Sequence, residues 1–227
     1  MYLTEIFKSL QGESSFTGKP CVFIRFSGCN LRCQWCDTEY SFHGGKAWTQ
    51  AEVLARVAQL QPAPGLVEIT GGEPLLQASE AVALMQALLD QGHTVLLETS
   101  GSRSLRAVPA AVHKIVDVKC PASGEASSFL MENLQSLGKN DEVKFVVASR
   151  ADFDFACNFY RSNGLQQIAG EVIFSPAFRK DAAGRRTVEN CLLDPRELAE
   201  WMLAEGLEAR LGLQVHKFLW EPQIQGV

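Results

Sequence analysis

Short apolar runs alternate with helix-periodic stretches along most of the chain. Seven runs rich in Val, Ile, Leu or Phe read as strands: Cys21 to Phe26, Leu66 to Thr70, Thr94 to Glu98, Lys114 to Val118, Glu142 to Ala148, Glu171 to Phe174 and Arg210 to Val215. Several are almost continuously apolar, which suits parallel strands covered on both faces. Between them lie helix signals with defined ends. Thr49 and Glu52 form a capping box ahead of Val53, Leu54, Val57 and Leu60 at helical spacing. Asp194, Pro195 and Glu197 open another helix, with Gly206 just past its end. Ala78 to Gln91 stops at Gly92, Met131 to Leu137 at Gly138, and Asp152 to Arg161 at Asn163-Gly164.

Strand and helix alternating at this frequency imply a parallel sheet with right-handed crossovers. About six βα units are too few for a closed eight-stranded barrel and suit an incomplete barrel or an open sheet. In both, ligands gather at the C-terminal ends of the strands. The chain places its unusual residues there: Ser27-Gly28-Cys29, Gly71-Gly72-Glu73-Pro74, Ser100-Gly101, Lys119-Cys120-Pro121 and Ser175-Pro176 each follow a strand. No repeat, low-complexity tract or linker interrupts the pattern, so one domain over residues 1–227 is expected.

Composition narrows the class. Of 227 residues 46% are hydrophobic and 21% charged, as in a globular protein with a substantial core. A net charge of -5 without a dense Lys/Arg run argues against nucleic acid or an anionic membrane as the main partner. No stretch reads as a signal peptide or a membrane span. Seven cysteines, an odd number with no export signal, point to the reducing cytoplasm rather than to a disulfide framework. Cys21, Cys120, Cys157 and Cys191 are scattered and read as small buried hydrophobes.

The remaining three, Cys29, Cys33 and Cys36, crowd into eight residues with C-x3-C-x2-C spacing. Structural zinc requires four protein ligands, and the only nearby fourth candidate is His43. A redox dithiol needs two cysteines and leaves Cys29 without a task. A four-iron cluster held by three cysteines leaves one iron open to an exogenous ligand.

This spacing, with Trp35 immediately before the last cysteine and the "TGGEP" turn of Thr70 to Pro74 at the next strand end, resembles the radical S-adenosylmethionine superfamily. The stretch "EIFKSLQGESSFTGKPCVFIRFSGCNLRCQWCDTEY", together with "LETSG" at Leu97 to Gly101 and "QVHKFLW" at Gln214 to Trp220, narrows the resemblance to the 7-carboxy-7-deazaguanine synthases. It implies an incomplete TIM-type barrel with a 4Fe-4S cluster, S-adenosylmethionine and Mg2+ as cofactors. The implied reaction is radical ring contraction of 6-carboxy-5,6,7,8-tetrahydropterin to 7-carboxy-7-deazaguanine with loss of ammonia, in queuosine or 7-deazapurine biosynthesis. A flavodoxin or ferredoxin as electron donor and a homodimer are implied as well.

Site residues carry over position by position. Leu10, Gln11, Gly12 and Glu13 match the pterin-lining part of a substrate-binding segment over residues 1–20. An amide and a carboxylate there suit the edge of an aminopyrimidinone. Arg25 matches the arginine that holds the substrate carboxylate, and Thr70 a further substrate contact. Cys29, Cys33 and Cys36 match the cluster ligands, and the Thr38 hydroxyl a magnesium ligand. Trp35, Cys36, Asp37, Gly72, Ser100 and Lys119 match the cofactor surroundings, whereas His216 and Lys217 match a pattern that is structural at least as readily as functional.

The chain also departs from the family pattern. A tail over residues 216–227 runs past the His-Lys-aromatic motif, so either Val227 supplies the substrate-reaching terminal carboxylate along a longer path or that contact is lost. Val118-Lys119-Cys120 stands where other members read Ser-Pro-Lys, and Ser175-Pro176-Ala177 replaces a Gln-Pro pattern. The loop from Ala177 to Asn190, with Arg179, Lys180, Arg185 and Arg186, reads as a solvated basic loop. Two rivals share parts of the pattern. A glycyl-radical activase has the cysteine loop but no need of Leu10 to Glu13 or Arg25, and a structural zinc module would hold zinc in place of iron and sulfide.

Overall fold

A computed structural model describes residues 1–179, 190–220 and 226. Val227, Lys180, Arg185 and Arg186 therefore lie outside the described residues. The strands are β1 (Tyr2–Leu10), β2 (Pro20–Phe26), β3 (Lys46–Ala47), β4 (Leu66–Gly71), β5 (Thr94–Thr99), β6 (His113–Asp117), β7 (Glu142–Val147), β8 (Glu171–Pro176) and β9 (Arg210–Leu211). They form one sheet in the order β3-β1-β2-β4-β5-β6-β7-β8-β9. From β2 onward every neighbouring pair is parallel, and β1 joins the edge antiparallel to β2 and β3. The sheet does not close on itself, which makes the architecture an incomplete barrel.

Helices cover the outer face. They are α1 (Gln50–Leu60), α2 (Ala78–Asp90), α3 (Arg150–Ser162), the short α4 (Leu165–Ile168) and α5 (Pro195–Glu205), while a last short helix, α6 (His216–Leu219), follows β9 and buries no residue in the core. The expected caps are present: Thr49 and Glu52 form the capping box of α1, and Asp194 caps α5 before Pro195, with Gly206 left-handed at its end. Outward strand residues such as Ile24, Ile69, Leu97, Val116 and Phe145 join Val57, Leu84, Leu88 and Phe153 of the helices in one continuous core. Burying each side chain of this size contributes about 1.5–3 kcal/mol.

Three expectations are corrected. β1 was not among the predicted strands, because only Leu3 and Ile6 of it are buried and its polar positions mask the alternation. The stretch from Met131 to Leu137 is a 3-10 turn over Met131–Ser136 rather than an α-helix. In its middle the buried Asn133 accepts from Leu105 N at 2.9 Å and donates to Gly101 O and Arg103 O, so the turn serves the loop after β5. The β5-to-β6 and β6-to-β7 crossovers thus contain no α-helix among the described residues, and four of the six crossovers are helical. The predicted strand from Arg210 to Val215 shortens to β9. At Gly212 a side chain would meet Ile173 Cγ2 and Ser175 Oγ at 2.6 and 2.7 Å, and the chain turns inward to Gly12.

Candidate active site

Strand alternation gives the inner face of the sheet two zones. Cys21, Leu66, Leu96 and Ile115 pack at its N-terminal end with Phe16 and Phe23, forming a small apolar plug. Two residues further along each strand the same face turns polar: Glu68 and Thr70 follow Leu66, Glu98 follows Leu96, Asp117 follows Ile115, and Lys144 pairs with Asp117 across β6 and β7. Above them opens a cavity of about 570 Å³.

The cysteine loop leaves β2 and is held by backbone bonds. Gly28 N donates to Ser41 O at 2.7 Å, and Glu73 N of the Gly-Gly-Glu-Pro turn donates to Gly28 O at 2.8 Å. Gly72 is pressed against this loop: a Cβ there would lie 2.3 Å from Gly28 O and 2.7 Å from Cys29 Cβ, so only glycine allows the approach. The fully buried Glu73 ties the turn to the next strand end. It accepts from Thr99 Oγ1 at 2.8 and 2.9 Å, Ser100 N at 2.9 Å, Ser100 Oγ at 2.6 Å and Leu75 N at 3.1 Å.

All seven cysteines are free thiols, and Cys29, Cys33 and Cys36 line the cavity half-buried. Burial pushes all three up, Cys33 to about 11, with the Lys119 ammonium opposing the rise at each. Three soft donors lining one cavity beside a glycine-only approach fit a cluster that keeps one iron open. Lys119 itself donates to Asp117 Oδ2 at 2.7 Å. Thr38 caps no backbone group with its hydroxyl, and its Oγ1 lies 3.8 Å from Cys36 Sγ.

The substrate-side residues sit across the cavity. Arg25 Nε donates to Glu5 Oε1 at 2.7 Å, Tyr40 OH donates to the same oxygen at 2.8 Å, and the guanidinium lies 6.0 and 5.9 Å from the Phe7 and Tyr40 rings. Burial works against the Arg25 charge, but Tyr40 and Glu5 outweigh it and raise its pKa. Glu13 accepts from Lys144 Nζ at 2.8 Å and from Gln214 Nε2 at 2.9 Å. Burial alone would push Glu13 up; Lys144 and then His216 reverse this and hold it at about 2. Glu68 goes the other way, raised well above the usual carboxylate range by burial and by Glu98.

All the predicted site residues that fall within the described part of the chain line this one cavity. Leu10, Gln11, Gly12, Glu13, Arg25 and Thr70 stand on the substrate side, and Trp35, Asp37, Gly72, Ser100 and Lys119 surround the cysteines. Two side chains are committed inward. The Gln11 amide accepts from Glu13 N and Ser14 N at 2.8 and 2.9 Å and donates to Glu68 at 3.0 Å, and the Ser100 hydroxyl donates to Glu73. Glu5, Phe7, Glu68, Glu98, Asp117, Lys144 and Phe178 also line the cavity and were not singled out from the sequence. For Glu68, Glu98 and Lys144 the signal was present: a charge beside apolar residues within a strand.

The described part of the C-terminal segment packs against both sides of the cavity. Val215 N donates to Gly12 O at 3.0 Å, and a Cβ at Gly12 would meet His216 Nδ1 at 2.6 Å. Lys217 Nζ reaches Asp37 Oδ2 at 3.2 Å and lies 4.6 Å from the Phe178 ring centre. Glu13, Asp37 and His216 bring their ligand atoms within 4.8 Å of one another.

A parallel, open barrel with three cysteines after its first parallel strand and a glycine turn pressed on them defines a class. Residues 23–121 match the Radical SAM superfamily, and the chain is an enzyme of that class, which implies S-adenosylmethionine and a 4Fe-4S cluster as cofactors. A 7-carboxy-7-deazaguanine synthase of Koribacter versatilis (strain Ellin345) is 57% identical over 227 residues, covering 100% of both chains. That of Chlorobaculum tepidum is 42% identical over 99% of this chain and 96% of the relative. The crystal structure of QueE from Escherichia coli has the same fold, with a TM-score of 0.72 at 24% identity over 94% of this chain and 93% of that one. The chain belongs to the 7-carboxy-7-deazaguanine synthase family.

Proposed function

We propose that the protein converts 6-carboxy-5,6,7,8-tetrahydropterin to 7-carboxy-7-deazaguanine, contracting the six-membered ring with loss of ammonia. The observation that carries this reading is the shared cavity: Arg25 and Glu13 face the same space as Cys29, Cys33 and Cys36. When bound, the cluster and S-adenosylmethionine supply a primary carbon radical able to abstract hydrogen from the substrate.

The chain's own residues bind and orient. Arg25 has its Nε engaged by Glu5, and its terminal nitrogens suit the substrate carboxylate. The ionised Glu13 accepts N–H groups of the pyrimidinone, and Thr70 adds a hydroxyl. Phe7, Phe23 and Phe178 exclude water from the radical. Thr38 offers an oxygen to Mg2+, which is a hard cation that completes its shell with waters and substrate. The electron comes from a flavodoxin or ferredoxin, and the enzyme works in the cytoplasm as a homodimer.

The test is anaerobic reconstitution with iron and sulfide, followed by S-adenosylmethionine, Mg2+, a reductant and the pterin. Mass spectrometry should find 7-carboxy-7-deazaguanine; cofactor cleavage without that product would overturn the substrate assignment. Two variants probe the roles. Arg25→Ala should retain the cluster and weaken pterin binding about 10- to 100-fold, the worth of one charge-assisted contact; an unchanged Kd would remove Arg25 from the site. Thr38→Ala should shift the magnesium titration of turnover to higher concentration, and superimposable titrations would reject the hydroxyl as a ligand.

A further inference from the structure

The cavity floor holds one buried cation whose task is not covered by the roles above. Lys144 stands on β7 with its side chain 2% exposed. Its ammonium lies 2.8 Å from Glu13 Oε2, hydrogen-bonds Glu98 Oε1, and is 3.9 Å from Asp117 Oδ2. These three carboxylates come from the β1-to-β2 loop, β5 and β6, so a single ammonium gathers groups that the chain order keeps far apart.

We propose that Lys144 is a positioning residue that sets ring specificity: it fixes Glu13 and Glu98 as one acceptor face, selecting a heterocycle edge with adjacent N–H donors. This rests on the aminopyrimidinone reading given above. Such an edge presents a ring N–H beside an exocyclic amino group, and a carboxylate matches the two donors. A 2-oxo counterpart sets a carbonyl oxygen against the carboxylate instead, which repels it. A site built this way rejects the wrong edge because its own buried acceptors are left unpaired.

Three features support the assignment. A carboxylate offers about four acceptor positions, so the bonds to Lys144 and Gln214 leave Glu13 able to take a ligand. Glu68, whose pKa is raised by burial and then by Glu98, is anchored by Gln11 at 3.0 Å on the same face of the sheet as the second carboxylate. Lys144 is the leading influence that holds Glu13 ionised against its burial. Without the ammonium, Glu13, Glu98 and Asp117 would repel one another on the cavity floor, and their directions would no longer be set.

The experiment compares 6-carboxytetrahydropterin with its 2-oxo analogue, 6-carboxytetrahydrolumazine, by binding titration to the reconstituted holoenzyme and by KM and kcat. The parent should prefer the pterin about 100-fold; a preference below about threefold would overturn the proposal without any variant. Lys144→Met should keep the cluster and uncoupled S-adenosylmethionine cleavage, raise KM for the pterin far more than it lowers kcat, and cut the preference at least tenfold, on the order of 1.4 kcal/mol. Lys144→Arg should restore part of the preference. If Lys144→Met does not fold, Lys144→Gln, which removes the charge and leaves both carboxylates in place, carries the same readout. A variant that binds more weakly but discriminates as the parent does would make Lys144 structural only. Failure of the substrate reading looks different, since the parent would then form no product from the pterin.

Discussion

Cys33→Ala is expected to give a folded protein that takes up no stoichiometric iron and sulfide and cleaves no S-adenosylmethionine. The thiol is half-exposed on a loop outside the continuous core, so its loss should cost little stability. Its chemical loss is complete, because a cluster on three thiolates has no spare protein ligand. Cys157→Ala is the matching control. That thiol is buried on α3 within the core, so the same substitution should cost about 1 kcal/mol and leave iron content unchanged. Iron and sulfide assays with cofactor cleavage decide the matter, and cleavage at the parent's rate by Cys33→Ala would refute the ligand assignment.

Glu73→Ala should have the largest effect on stability, about 3 kcal/mol, lowering the melting temperature by roughly 6 to 12 °C for a chain of this size. The carboxylate is fully buried, and its removal leaves the Thr99 and Ser100 hydroxyls and the Ser100 N–H without their acceptor. Because Glu73 joins the glycine turn to the end of β5, cofactor affinity should fall together with stability. Thermal unfolding checks this, and a loss under about 1 kcal/mol would mean that water replaces the lost partner.

How far each part of the site could be read from sequence follows from the range of the forces involved. Cys29, Cys33, Cys36 and the Gly71-Gly72-Glu73-Pro74 turn were readable because their chemistry lies in local spacing. The caps of α1 and α5 were readable for the same reason, since a capping box is a contact between residues three apart. Glu5 escaped because its role exists only in register with Arg25 across an antiparallel pair, in a strand whose pattern is blurred by polar residues. Phe178 escaped because it enters the cavity from beyond β8 through an antiparallel bridge to Cys191 and a contact with Lys217.

Sequence alone determined most of the alternating strands and helices, the parallel sheet, the cysteine loop and the family. Each of these rests on periodicity or on residues close together along the chain. Tertiary structure decided which charges meet. Glu13, Glu98, Asp117 and Lys144 lie far apart in sequence, and they become one network only because inward positions of β5, β6 and β7 stack on the same face of the sheet and the β1-to-β2 loop brings Glu13 over them. In that buried floor the cost of separating a charge from its partner is far higher than in water, so pairing across the fold, not order along the chain, sets the chemistry of the cavity.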